Sequence, residues 1–351
     1  MTENLMPGNN AGISNLKPSF KKIPMKYLIY LALLVFLPVT ANAQGNLIIL
    51  NKSGNTAWQL DAATGDQKAV YNTGTAPHEV ALSPDKKWAV ITNYGSEEPG
   101  NSLTVIDLEK REVAKTIQLG SFQRPHGIEW FSDSQRVVVS VEEQQSVVIV
   151  DISDGRVLTD IKTNAEISHM VELSENEQLV YVTNLGSGSV TVLNIADEKI
   201  VKTINTGRGT EGLTLADNGH ELWVTNRASN SISILDTENY EVLQTMASEG
   251  FPIRAETSPD GRFVAVSNAR ASTVSVFDVE TREKMATVST KTPEVSDGMP
   301  IGLTFSDDNS RLYVANSNAD QIVVINTDSW KVMETFKTGA TPDGIAYISS
   351  E

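Results

Sequence analysis

From residue 45 onward the chain alternates short apolar runs with polar turns, and the alternation is itself periodic. An apolar run ending in Asn recurs at Leu47–Asn51, Trp88–Asn93, Leu179–Asn184, Leu222–Asn226, Phe263–Asn268 and Leu312–Asn316, with Val141 in the Asn place of one divergent copy. The steps between these markers are 42, 48, 43, 42, 42 and 48 residues. Period-two patterning inside each copy predicts strands rather than helices. An alternating segment such as Val80-Ala81-Leu82-Ser83 (strand A) leads into a turn, Ser83-Pro84-Asp85-Lys86 in one copy and Ser258-Pro259-Asp260-Gly261 in another. Pro and Gly supply the backbone angles such turns need. The Asn-ended run is strand B. Strand C follows, as in Val190–Asn194 and Ile232–Asp236, then a charged turn and strand D, as in Lys199–Ile204 and Lys331–Phe336. Four strands in a repeat of about 42 residues predict the blades of a β-propeller.

The ends of the pattern predict how the ring closes. It opens on a strand B, Leu47–Leu50, and ends on a strand A, Gly344–Ile348. Seven complete blades result only if that last strand A joins the first B, C and D, a 1+3 closure that removes an open sheet edge. The expected architecture is therefore all-β: one seven-bladed propeller of four-stranded blades over residues 44–351. Two copies are longer, at Glu97-Glu98-Pro99-Gly100 with Ser121–Gln123, and at Lys291–Met299. Both insertions fall on the rim formed by the D–A and B–C connections, here called the top.

Residues 1–43 read differently. Lys21, Lys22 and Lys26 precede the apolar run Leu28–Leu37, and Ala41-Asn42-Ala43 follows. This is the layout of an export signal cleaved after Ala43, with Met25 as an alternative start. The run is too short to cross a bilayer. The expected location is the periplasm, with no membrane span after cleavage.

Charge and cysteine content narrow the chemistry. The net charge of −16 becomes −19 once four lysines and one glutamate of the leader are set aside. Such a surface repels nucleic acid and anionic lipid. With no cysteine in the chain, disulfides, thiolate metal sites and Cys-linked haem are excluded. No nucleophile elbow or phosphate loop is present either.

The informative position immediately precedes strand A, usually after Pro. Around the ring it holds Asp343, His78, His126, His169, Glu211, Ile253 and Ile301. Its steps are those of the Asn marker, so the register is independent of the residues found there. Strand A is innermost in a propeller, which places this column at the channel mouth. Three of the four histidines of the chain lie in it, in adjacent blades, with a carboxylate on either side; His220 is the fourth and falls in a bottom turn. Imidazoles in a wet channel mouth could simply bond to neighbouring backbone. Alternatively His78, His126 and His169, with Glu211 or Asp343, form a site for a divalent metal, Zn, Fe, Mn or Cu. Metal-free acid–base chemistry at the same histidines is the third reading. Arg124, Arg208, Arg227, Arg254 and Arg270 belong to top connections, five of the eleven arginines. That concentration points to a small anionic ligand held by guanidinium forks, or to ordinary pairing with Glu211, Asp297 or Asp343.

Tyr181-Val182-Thr183-Asn184, and nearly so Trp223-Val224-Thr225-Asn226, resemble the bacterial YVTN-type β-propeller repeat family over essentially all of residues 45–349. The resemblance implies an exported propeller related to lactonase-type propellers, whose pocket lies at the channel mouth. His169, Glu211 and Arg254 stand in successive blades, in an order similar to the His/Glu/Arg pocket of those enzymes, with His126 as a further proton-transfer group. Arg254 lies one residue past the column, and the longer lactonase blades are missing. Three functions follow as expectations. One is a propeller binding a small anion or a metal at its mouth. A second is a hydrolase, isomerase or lyase acting on a small carboxylate or lactone in the same pocket. The third is an interaction platform for a periplasmic redox partner.

Overall fold

The computed structural model describes residues 45–292 and 295–349, so the leader and the cleavage site lie outside the described residues. These residues form seven four-stranded antiparallel sheets and, apart from two single turns of 3-10 helix, no helix. No helix among them is long and apolar enough to cross a membrane. Blade one combines Pro342–Ser349 as its innermost strand with Gly45–Asn51, Thr56–Asp61 and Gln67–Asn72. The expected 1+3 closure is therefore present, with Leu47 paired to Tyr347 and Ile49 to Ile345. The innermost strands of blades two to seven are Pro77–Leu82, Pro125–Trp130, Ser168–Leu173, Thr210–Ala216, Pro252–Thr257 and Pro300–Phe305. Each packs against the next, and the seventh against the first, closing the ring.

Strands B and C are β-branched-rich and buried on both faces, because each blade is sandwiched between two others. Val180, Val182, Val190 and Val192 are fully buried, as are Val264, Val266, Val274 and Val276. Their side chains interdigitate in clusters that run from blade to blade. Outer strands are mostly exposed, Lys199–Asn205 burying only Ile204, and lysines on them discourage edge pairing. The marker Asn is buried and therefore needs partners. Asn184 Nδ2 donates to Ser189 Oγ and to Thr191 Oγ1, and Asn226 and Asn268 make equivalent bonds to strand C hydroxyls.

The residue before that Asn positions the mouth. Thr183 Oγ1 accepts the N–H of Met170 in its own blade and donates to the carbonyl of Glu211 in the next. Thr92, Ser140, Thr225 and Ser267 make the same bridge to the carbonyls of His126, His169, Ile253 and Ile301. The repeat's hydroxyl thus staples five of the seven column residues to the preceding blade. Leu50 and Ala315 lack a hydroxyl, so His78 and Asp343 have no such staple. The backbones are close there, as they are at two of the bridged joints: a Cβ on Gly344 would lie 2.5 Å from the His78 carbonyl oxygen and one on Gly302 2.2 Å from that of Asp343, against 2.7 Å for Gly127 to His169 and 2.3 Å for Gly212 to Ile253.

Candidate functional site

Every innermost strand breaks register against strand B just after its first residue. The shift falls between Pro77 and Val80, Pro125 and Ile128, Ser168 and Val171, and likewise in the other blades. A bulge frees its residues from the ladder and re-aims their side chains. The column residue sits inside it. All seven column residues line one cavity of about 330 Å³ at the mouth.

Three imidazoles stand ring against ring. The His78 and His126 centroids are 4.2 Å apart, edge to face, and those of His126 and His169 are 3.6 Å apart. Their surroundings differ. His78 Nδ1 lies 3.2 Å from Asp343 Oδ2 without the alignment of a hydrogen bond, and its Nε2 is 3.4 Å from Lys52 Nζ. Burial, helped by the charges of Lys52 and Arg254 and opposed by Asp343, pushes the His78 pKa down to about 3. His169 is gripped from both sides, Nδ1 by Glu142 Oε1 at 2.7 Å and Nε2 by Glu211 Oε1 at 3.2 Å. Burial alone would lower its pKa, but Glu211 and Glu142 outweigh burial and raise it. His126 is wholly buried, and neither of its ring nitrogens has a hydrogen-bond partner. Burial and the neighbouring His169 and His78 keep it neutral, its pKa far below the usual value. A buried imidazole with both nitrogens unsatisfied is costly.

Glu211 anchors the other side of the arc. Burial favours its neutral form, but His169, Arg254 and Arg227 hold its pKa down at about 2. Arg254 Nη1 donates to Glu211 Oε1 at 3.3 Å, and Nη2 bonds Glu79 across the channel. Arg227 Nη1 lies 2.6 Å from Glu211 Oε2 as an ion pair, without hydrogen-bond alignment. Asp343 is buried, and the groups facing it, His78, Lys52 and Arg254, lower its pKa against burial; with His78 neutral, the lasting charges are those of Lys52 and Arg254.

The structure brings His78, His126, His169, Glu211, Arg254, Arg227 and Asp343 together in this cavity. Other arginines named from the sequence lie elsewhere. Arg124 stacks on the Tyr94 ring, pairs with Glu143 at 3.4 Å and donates to the Ser96 carbonyl. Arg270 is exposed, its guanidinium 3.9 Å from the Phe251 ring centroid, and Arg208 is exposed on the rim. Among the described residues, the His/Asp/Glu donors that could share one ion are His126, Glu142 and His169, all within 4.8 Å of one another. His78 and Asp343 are turned to each other instead, and Glu211 backs His169.

Glu142 was not named from the sequence, nor were Tyr94 and Lys52. Tyr94 OH donates to Glu142 Oε2 at 2.7 Å, and its ring stacks on His78. A signal for all three exists. Lys52, Tyr94, Glu142, Leu185 and Arg227 each follow the marker residue of their copy, and all five line the cavity. In the divergent copy a 3-10 turn, Glu142–Gln144, starts directly after Val141.

Residues 123–294 match the model of the YNCE-like beta-propeller family. This YNCE-like segment carries His126, Glu142, His169, Glu211, Arg227 and Arg254. Two curated relatives, both uncharacterized YncE proteins, come from Salmonella typhi and from Salmonella typhimurium; each is 23% identical over 184 residues, 51% of this chain and 50% of the relative. The chain thus spans about half the length of the curated relatives it matches. Among solved structures, a functionally unknown protein from Desulfotomaculum acetoxidans is similar with a TM-score of 0.74 and 17% identity, covering 88% of this chain and all of that one. Hydrazine synthase from Kuenenia stuttgartiensis is similar with a TM-score of 0.70 and 19% identity, covering 81% of this chain and 92% of that one. At such identities the likeness shows the fold alone.

Proposed function

We propose that this chain is an exported propeller that binds a divalent transition metal at the top mouth of its channel through His126, Glu142 and His169. One observation carries the reading. His126 is fully buried with both ring nitrogens unsatisfied, beside a carboxylate and a second imidazole within ligand distance. Two nitrogens and one oxygen suit Zn, Fe, Mn or Cu better than Ca or Mg. Glu211, bonded to the far nitrogen of His169, has the place of the outer carboxylate that orients a metal-bound histidine. Charge agrees once His169 gives up its proton to the ion: Lys52, Arg227 and Arg254 then face four carboxylates, Glu79, Glu142, Glu211 and Asp343, leaving the mouth short of positive charge. What a bound ion supplies is an electrophilic centre with an open position toward the cavity.

The clamp-and-base reading is less well supported. Arg254 is nine-tenths buried and already spent on Glu79 and Glu211, so its fork is not free for a substrate acid group. Export to the periplasm rests on the leader, and a partner protein on the top rim rests on the insertions. Elemental analysis of the mature protein, expressed without a histidine tag, tests the metal. The expected result is one metal per chain, lost in His126→Ala and in Glu142→Ala while the melting temperature of the metal-free protein is kept. A stoichiometry near zero in the wild type rejects the reading.

A further inference from the structure

The mouth has a second half that the metal does not use. In blades six and seven the column holds Ile253 and Ile301, and both line the cavity, as do Ile167, Leu185, Phe251 and Met299. Ile167 is 39% exposed, and among the described residues it alone of the strongly exposed large apolar side chains lies off the outer strands. Two residues before the column the backbone is left-handed in every blade, with φ of 50° at Ala76, 53° at Arg124, 57° at Ile167, 71° at Gly209, 56° at Phe251, 51° at Met299 and 58° at Thr341. Glycine fills such a position without penalty, as Gly209 does, whereas a β-branched or bulky residue there costs energy. The chain nevertheless places Ile, Phe and Met at three of these strained positions, and all three border the cavity rather than a blade core.

We infer that the mouth takes a small amphipathic monoanion, its carboxylate or phenolate head toward the His126–Glu142–His169 corner and its apolar body against Phe251, Met299 and Ile301. This inference rests on the metal reading. A divalent ion added to three cations and four carboxylates leaves one positive charge at the mouth, which a monoanionic head neutralises. Lys52 and Arg227, about a third exposed, flank the approach to that head. A cavity of about 330 Å³ is at the small end for ligand pockets and has room for one ring or a short chain. The apolar wall supplies affinity by burial, and the metal corner supplies orientation.

The test is a calorimetric titration of the cobalt-loaded mature protein with acetate, butanoate, hexanoate and benzoate, followed also by the visible spectrum of the cobalt. Affinity is expected to rise by about fourfold per added methylene up to hexanoate, with the same spectral change at saturation throughout. Phe251→Asn combined with Met299→Gln should flatten that rise to below twofold, with one cobalt per chain retained. Asn tolerates the left-handed backbone, so a flat series in this variant is not a folding defect. A flat series in the wild type, with cobalt bound, overturns the inference and leaves the metal reading standing. A protein that takes up no cobalt overturns the metal reading. The same titration without metal then decides the apolar half, which a rising series upholds and a flat one ends.

Discussion

Two layers of the central channel solve the problem of buried charge in opposite ways. At the mouth, Glu211 and Asp343 are buried yet ionised, because His169, Arg254, Arg227 and Lys52 lie against them. Three residues further along the innermost strands, Glu129, Glu172 and Glu256 have no cationic partner among the described residues. Burial pushes Glu172 up to about 7. Burial and the charges of Glu172 and Glu79 push Glu256 up to about 8, and burial with Glu172 raises Glu129 well above the usual carboxylate range. Backbone N–H groups of the next blade support two of them, Leu173 bonding Glu129 and Leu215 bonding Glu172. The same strands therefore carry a layer that holds charge and a layer that sheds it. The upper layer keeps Glu211 and Asp343 ionised beside the neutral imidazoles of His78 and His126, while His169 has to give up a proton when it binds a metal. The lower layer beneath it favours protonated carboxyls.

Arg254 ties two buried acids of the charged layer together across the channel, so its loss has the largest expected effect. Arg254→Met leaves Glu79 and Glu211 without their shared partner and should cost about 3–5 kcal/mol, read from urea unfolding; an effect below 1 kcal/mol means the channel is wet enough to hydrate both acids. Glu211→Gln keeps the shape but weakens the support of His169, and should reduce metal affinity by about 10- to 100-fold in a chelator competition. Glu256 tests the lower layer through pH. Its folded pKa lies above its unfolded one, so the folded state holds a proton that the unfolded state has released between about pH 4.5 and 8. Its contribution to stability is fully present below that window and is lost as pH rises through it, at up to about 1.4 kcal/mol per pH unit. Glu256→Gln should remove this slope from the unfolding free energy and make the variant the more stable protein at pH 8; an unchanged slope refutes the raised pKa. The smallest effect is expected from Thr183→Val. It unbinds the Met170 N–H and the Glu211 carbonyl, for about 1 kcal/mol, with metal affinity lowered more than by the same change at an outer-strand threonine.

The fold was readable in the sequence because a propeller repeats its constraints. One Asn marker with seven-fold spacing set strand order, blade number and closure, and the leftover strand at Gly344–Ile348 told where the ring is joined. The histidine column was readable for the same reason, its register being inherited from the marker. Glu142 was not, although it lies one residue past Val141. The divergent copy hid it, and a single-column reading cannot see a partner that arrives from the neighbouring connection. The arginine cluster misled in part. Proximity along the rim does not say which guanidiniums turn inward, and for Arg124 and Arg270 the faces of Tyr94 and Phe251 decide the matter. The pairing of Arg254 with Glu79, 175 residues away, belongs to the position after the column, which carries Gly in blades one, three, five and seven.

Because the hydroxyl bridge is missing at Leu50 and at Ala315, the ring has a seam. The two unbridged joints lie on either side of blade one, the blade sewn together from both ends of the domain. With two hydroxyl bridges fewer, breathing motions are expected to begin there, and the amides of Asp343–Ser349 should exchange with solvent before those of the stapled inner strands. Asp343, Lys52 and His78 meet across that seam, so an opening there would widen the mouth on their side of the channel.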